Sequence, residues 1–230
     1  MKRFWTDVTV EPGGDGFAIR LDGRAVKTPA RADLRLPTRA LADAIAAEWS
    51  AVAGEIDPRA MPLTGLANAA IDRVASARDE FAADLARFGE SDLTCYRAEG
   101  PDALVQRQAE SWDVLQAWAR RRYDVDFACV AGIMHAPQPA ETVAKLGQAV
   151  HALGPFHLAG LSPLVTIGGS LIAALAVLER AIPAGEAWEA VSLDDRWQLE
   201  QWGADAEAGA RLDSRRDEFL LAARFLELLD

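Results

Sequence analysis

Apolar side chains recur at every second position in Trp5-Thr6-Asp7-Val8-Thr9-Val10 and again in Phe17-Ala18-Ile19-Arg20-Leu21. That is the period of a strand with one buried face. Pro12-Gly13-Gly14-Asp15-Gly16 and Asp22-Gly23 supply the turns, Asp-Gly suiting a two-residue hairpin. Val26-Lys27-Thr28 and Leu34-Arg35-Leu36 predict two further short strands, so the chain up to Pro37 reads as an antiparallel meander.

From Thr38 the period lengthens to that of a helix. Thr38 can cap a helix that carries Leu41, Ile45, Trp49 and Val52 on one face and closes at Gly54. Pro62 opens a second helix, and Ser76 with Asp79 and Glu80 starts a third through Phe81, Leu85 and Phe88. Pro101 opens a long helix to Tyr123, followed by the loosely alternating residues 125–130 and a break at Ala136-Pro137-Gln138-Pro139. Helices are predicted at 140–153, 163–182, 185–202 and from about 205 to 229. The pattern predicts an α+β fold: a small N-terminal antiparallel β unit, residues 1–37, followed by a larger multi-helical domain, residues 38–230. Residues 157–178 carry no Asp, Glu, Lys or Arg and are long enough to span a bilayer. Gly160, Ser162, Pro163, Thr166, Gly168 and Gly169 within them predict instead a buried helix interrupted near Ser162-Pro163, with a membrane span as the alternative.

Composition narrows the function. A formal net charge of -11 over 230 residues excludes a general phosphate-backbone binder, which needs clustered Lys and Arg. The acid is concentrated late: residues 183–230 hold five arginines against twelve carboxylates, whereas residues 1–37 hold seven basic against five acidic side chains. The two cysteines, Cys95 and Cys129, lie far apart in sequence, and the first residues carry neither a secretory signal nor a transit peptide, which points to a reducing cytoplasm. No phosphate loop, dinucleotide fingerprint, zinc-protease helix, Cys-x-x-Cys or nucleophile elbow occurs, and no cofactor is expected. Asp194, Asp195 and Glu200 leave two readings open: a solvated helix face, or the carboxylates of a small metal-dependent hydrolase. Cys95, beside Tyr96 and Arg97, is either an activated thiol or a small buried hydrophobe.

Residues 188–207 place three of the seven tryptophans among six carboxylates. Tryptophan rimmed by charge is typical of protein-binding surfaces. Trp188, Leu199 and Trp202 share a helical face from which Trp197 is displaced, so at least one tryptophan here is predicted to be open to a partner, while Trp49, Trp112 and Trp118 fall on core stripes.

The order and spacing of several short strings also carry a resemblance. Phe4-Trp5, Asp22-Gly23-Arg24 running into Val26-Lys27-Thr28-Pro29, Leu36-Pro37-Thr38, Glu48-Trp49, Met61-Pro62-Leu63-Thr64, Leu66-Ala67-Asn68, Ile71-Asp72-Arg73, Cys95-Tyr96-Arg97, Trp112-Asp113 and Gln201-Trp202-Gly203 resemble the ATP synthase F(1) assembly chaperones. The resemblance covers nearly the whole chain. It implies a non-enzymatic helper with a small β-rich part and a helical part, monomeric when free. Such a helper holds the free alpha subunit in solution until the beta subunit replaces it. It further implies that Trp49 and an acidic position among Asp194, Asp195, Glu200, Asp205 and Glu207, next to Trp202-Gly203, serve partner binding. Mitochondrial members carry a transit peptide, so the chain is similar to a bacterial cytoplasmic relative.

Overall fold

The hairpin predicted first is formed by β1 (Val8–Gly13) and β2 (Gly16–Leu21), antiparallel in a register running from Val8 opposite Leu21 to Gly13 opposite Gly16. Asp22 and Gly23 both adopt left-handed backbone, with φ of 48° and 79°, and return the chain into β3 (Arg24–Ala25). The sheet departs from a plain meander: β3 and β4 (Arg35–Leu36) both pair with β2, β3 at Arg20 and Leu21 and β4 at Phe17 and Ala18. Alternation buries Ile19, Leu21, Leu34 and Leu36 on one face together with Leu41 and Ile45 of α1 (Arg39–Ala51). Thr38 caps that helix by accepting from Leu41 N–H, and its hydroxyl donates to the carbonyl of Leu228.

The computed structural model describes residues 2–203 and 206–230, with the backbone alone at Trp202. Packing groups the chain into two compact units, one made from Met1–Arg78, Gly154–Gly160 and Arg224–Asp230, the other from Asp79–Leu153 and Leu161–Ala223. Secondary structure thus changes character at Pro37, whereas packing joins α1 and α2 (Pro62–Ala69) to the strands. Glu48 of α1 caps α2 from outside: its carboxylate accepts from Leu63 N–H and Thr64 N–H, each at 2.8 Å, and from the Thr64 hydroxyl at 2.7 Å. The predicted restart at Ser76 is absent. A π turn (Ala70–Val74) and a 3₁₀ turn (Ala75–Ala77) carry the helical path directly into α3 (Arg78–Ala86), and the Ser76 hydroxyl donates backward to the Arg73 carbonyl instead of capping forward.

In the second unit, β5 (Tyr96–Arg97) pairs in parallel with β6 (Val130–Ala131), flanking the 22-residue α4 (Asp102–Tyr123). There follow α5 (Ala140–His151), α6 (Pro155–Gly168), α7 (Leu171–Leu178), α8 (Ala184–Val191), α9 (Leu193–Trp202) and α10 (Ala206–Glu227). Trp112 is fully buried and donates its indole N–H to the Ala190 carbonyl at 2.8 Å, while buried Trp188 packs 5.6 Å from the Phe219 ring.

Two predicted helices are each two. The break expected at Ser162-Pro163 lies instead at Gly169, because Pro163 is accommodated inside α6 while Gly169 turns left-handed (φ 66°) and Ser170 caps α7 by accepting from Ala173 N–H. Asp92 reinforces that break. Fully buried, it accepts from the Ser170 hydroxyl at 2.9 Å, Ile172 N–H at 2.9 Å, Thr94 N–H at 3.0 Å and the Thr94 hydroxyl at 2.8 Å. Burial raises its carboxyl pKa against those donors, which favour the ion. Residues 185–202 likewise divide into α8 and α9 at Ser192, whose N–H and hydroxyl both turn back to the Trp188 carbonyl, at 3.0 and 2.6 Å. No helix among the described residues is long and apolar enough to cross a membrane.

Candidate functional site

α9 carries most of the carboxylates singled out in the sequence, and each of the three is already engaged. Asp194 accepts from Gln108 Nε2 of α4 at 2.7 Å, and Gln108, almost fully buried, uses its own carbonyl to accept from Ala98 N–H at 2.7 Å. Glu200 pairs with Arg107 of α4 at 2.7 Å, and the same guanidinium lies 4.8 Å over the ring of Trp197. Asp195 faces the other way and pairs with Arg215 of α10 at 2.7 Å, while Arg215 also reaches the Ile167 carbonyl at 3.0 Å. Glu207 pairs within the first turn of α10 with Arg211, at 3.3 Å. Asp205 lies outside the described residues, as does the side chain of Trp202.

These partners change what the acidic stretch can do. Asp194, Asp195 and Glu200 diverge to three different side chains, and among the described residues no group of three or more His, Cys, Asp or Glu gathers to hold a metal ion. The hydrolase reading therefore has no assembled ligand set there. What the pairs do is fasten α9 to α4 on one side and to α10 on the other. Half-exposed pairs of this kind contribute roughly 0.2–1 kcal/mol each, enough in combination to hold a helix that has little apolar face of its own. The tryptophans of the stretch follow suit: Trp188 is core and Trp197 is half-buried under Arg107.

Clamping α9 and α10 in this way leaves a groove of about 540 Å³ between them. Leu199 and Leu212 supply its apolar surface, with Gly203 and Ala208 keeping it open, and Asp195, Gln198, Arg211 and Arg215 supply its polar surface. The Asp195–Arg215 pair lies in the lining itself, so a ligand in the groove meets a charge pair rather than an uncompensated anion.

Trp49 belongs to the other compact unit and is not the core residue that its helical stripe predicts. It is half-buried at the end of an aromatic ladder. Phe4, 57% exposed, meets Trp5 edge-on at 5.2 Å, and buried Trp5 meets Trp49 at 5.3 Å and donates its indole N–H to the Trp49 carbonyl at 3.3 Å. Arg3 stands 5.6 Å over Trp5 and fixes the segment by donating to the Val52 carbonyl at 2.6 Å. The indole nitrogen of Trp49 is buried and has no acceptor. Trp118, also expected in the core, is half-buried edge-on to Tyr123.

The structure also settles the cysteines. Cys95 is fully buried, and burial first, then the Asp92 carboxylate and Cys129, raises its thiol far above the ordinary range; the activated-thiol reading is overturned. Sequence patterning missed Phe4, Ile133 and Met134, which with Val114 are the large apolar side chains left exposed among the described residues. Ile133 and Met134 sit in a short apolar dipeptide between Gly132 and a proline-rich break, a place where periodicity carries no signal.

A family model described as ATP12 chaperone protein matches residues 2–120. The crystal structure of Atp12 from Paracoccus denitrificans is similar over 100% of this chain and 98% of that one, with a TM-score of 0.96 and 44% sequence identity. A single-site mutant of the P. denitrificans protein superposes with the same TM-score at 43% identity, again over 100% of this chain and 98% of its own. Protein atp12, mitochondrial, from Schizosaccharomyces pombe is 25% identical over 215 residues, which span 88% of this chain and 74% of the yeast protein.

Proposed function

The chain belongs to the ATP12 chaperone family, the assembly chaperones of ATP synthase, and from that premise we propose that it binds the free alpha subunit of the F(1) head and keeps it soluble until the beta subunit takes its place. The observation that carries the reading is the α9–α10 groove, a contact surface that sets the half-exposed Leu199 and Leu212 beside the neutralised Asp195–Arg215 pair. Such a surface suits a subunit whose apolar assembly face is temporarily uncovered. In this reading Leu199 and Leu212 meet the client, and Asp194, Asp195 and Glu200 act by holding α9 in place. Trp202, Asp205 and Glu207 follow Leu199 closely in sequence and are proposed to join the same contact, and Trp49 presents a second, aromatic one. Binding alone performs the task, with no bond made or broken. The higher identity to the Paracoccus protein than to the yeast mitochondrial one favours a bacterial cytoplasmic setting.

The test is co-expression with lone alpha subunit in the absence of beta. The two proteins are expected to co-elute as one complex. Leu199→Asp, which puts a charge in the groove, is expected to weaken capture by roughly 30-fold, the effect of losing a central contact of about 2 kcal/mol. Undiminished capture by a folded Leu199→Asp protein removes the groove from the proposal.

A further inference from the structure

Between Ala128 and Gln138, within the second unit, the chain makes a short excursion that is fastened at several points. At its base Ala128 N–H donates to Gln138 Oε1 at 3.0 Å while Gln138 Nε2 donates back to the Ala128 carbonyl at 2.8 Å, a reciprocal clasp in which Gln138 is buried. Just below it the Thr142 hydroxyl donates to the Asp126 carbonyl at 2.6 Å. Along the outgoing arm β6 is paired to β5, and Gly132 N–H extends that ladder to the Arg97 carbonyl at 2.8 Å. On the return arm His135 Nδ1 lies 3.1 Å from the Tyr96 hydroxyl, and Pro137 and Pro139 stiffen the backbone on either side of Gln138.

The tip held by this frame is apolar. Ile133 is 95% exposed and Met134 80%. A loose loop would fold two such side chains onto the nearest surface, since burial of apolar area is the dominant favourable term in folding. Here the left-handed turn at Gly132 (φ 87°) and the attachments on both arms keep them pointing away from the body. Pre-ordering an apolar anchor in its exposed position lowers the entropy lost on association, and a methionine adapts to an irregular hollow.

We infer that the Ile133-Met134 tip is a client-gripping element that inserts into an apolar hollow on the unassembled subunit the chaperone holds. The inference rests on the alpha-subunit reading for the identity of that client. A second copy of this chain fits the tip poorly. Two exposed side chains on each copy supply only a small part of the roughly 1,200 Å² that a stable interface needs, so tip-to-tip docking falls short. A larger partner that also engages other surfaces of the chaperone supplies the remainder.

The test uses the full chain co-expressed with lone alpha subunit. Ile133→Ser combined with Met134→Ser is expected to lower the amount of alpha subunit recovered at least tenfold, with circular dichroism and melting temperature unchanged because neither side chain is buried. Ile133→Leu, which keeps an apolar tip, is expected to retain capture. A photo-crosslinking amino acid at position 133 is expected to give an adduct containing alpha subunit. Full capture by the double serine variant overturns the inference while leaving the alpha-subunit reading standing, and a crosslink joining two chaperone copies overturns it in favour of self-association. Failure of the unmodified chain to capture alpha subunit overturns that reading and this inference with it.

Discussion

Asp92→Asn is the substitution whose outcome the structure specifies most closely. Each carboxylate oxygen of Asp92 accepts one backbone N–H, Oδ1 from Thr94 and Oδ2 from Ile172, and the Ser170 hydroxyl is shared between them. Asparagine keeps one oxygen. Whichever way its amide is turned, one of the two backbone N–H groups loses its acceptor and faces an NH₂ in a fully buried site. An orphaned buried donor costs roughly 1–3 kcal/mol, and the donor-to-donor contact adds to it, so a total of about 2–3 kcal/mol is expected. For a chain of this size that corresponds to a fall in melting temperature of about 4–12 °C. The substitution also reports on charge. Burial raises the native carboxyl above its unfolded value of 3.8, so the group's contribution to stability is fully present below pH 3.8 and is lost as pH rises through the native value. The asparagine variant should lack that component of the slope. Thermal and urea unfolding followed by circular dichroism between pH 4 and 8 read both quantities. A variant that melts within 2 °C of the parent refutes the claim that Asp92 holds the α6–α7 break.

Other expected outcomes concern separate parts of the molecule. A Cβ at Gly160 would stand 2.6 Å from Leu226 Cδ2 and 2.9 Å from Leu226 Cγ, so Gly160→Ala should destabilise by about 1–3 kcal/mol through overpacking, seen as a lower urea midpoint. Maleimide should label Cys129 in the native protein and leave Cys95 unlabelled until denaturant is added, because Cys95 is buried and its thiol pKa is raised. Arg107→Ala removes both the Glu200 ion pair and the cation over Trp197, and should change tryptophan emission while lowering stability by no more than about 1–2 kcal/mol. The Asp22 carboxyl, which accepts from the N–H groups of Asp7 and Thr6, is held below 3.8. Its contribution is present above that pH and lost as pH falls through the native value, and carbon-detected NMR titration should place its midpoint below that of an ordinary aspartate.

What the sequence made legible is local. The Asp22-Gly23 turn, the Thr38 cap and the proline at the start of α2 are each decided by residues within a few positions of one another, and each is found where the pattern places it. The misplaced breaks are decided at long range. The division between α6 and α7 depends on Asp92, 80 residues before Ile172, and α9 is fixed by Arg107, 93 residues before Glu200. The same distance explains why the acidic stretch reads as a free anionic face in the sequence: its countercharges come from α4 and α10. The groove inherits that difficulty, since Leu199 and Leu212 belong to separate helices. Ile133 and Met134 escape notice for the opposite reason, because a two-residue apolar run has no period to detect.

The first compact unit takes its members from three separate stretches, Met1–Arg78, Gly154–Gly160 and Arg224–Asp230. A ribosome that has delivered the β-hairpin, α1 and α2, which ends at Ala69, must therefore go on for most of the chain before the segment that receives the Thr38 hydroxyl at Leu228 exists. The strands can pair early, but the unit closes only when synthesis has passed residue 224. A nascent chain halted before that point would carry the residues of the Phe4–Trp5–Trp49 ladder on an unfinished support, so the unit that holds the ladder is completed late, after translation of the helices rather than alongside it.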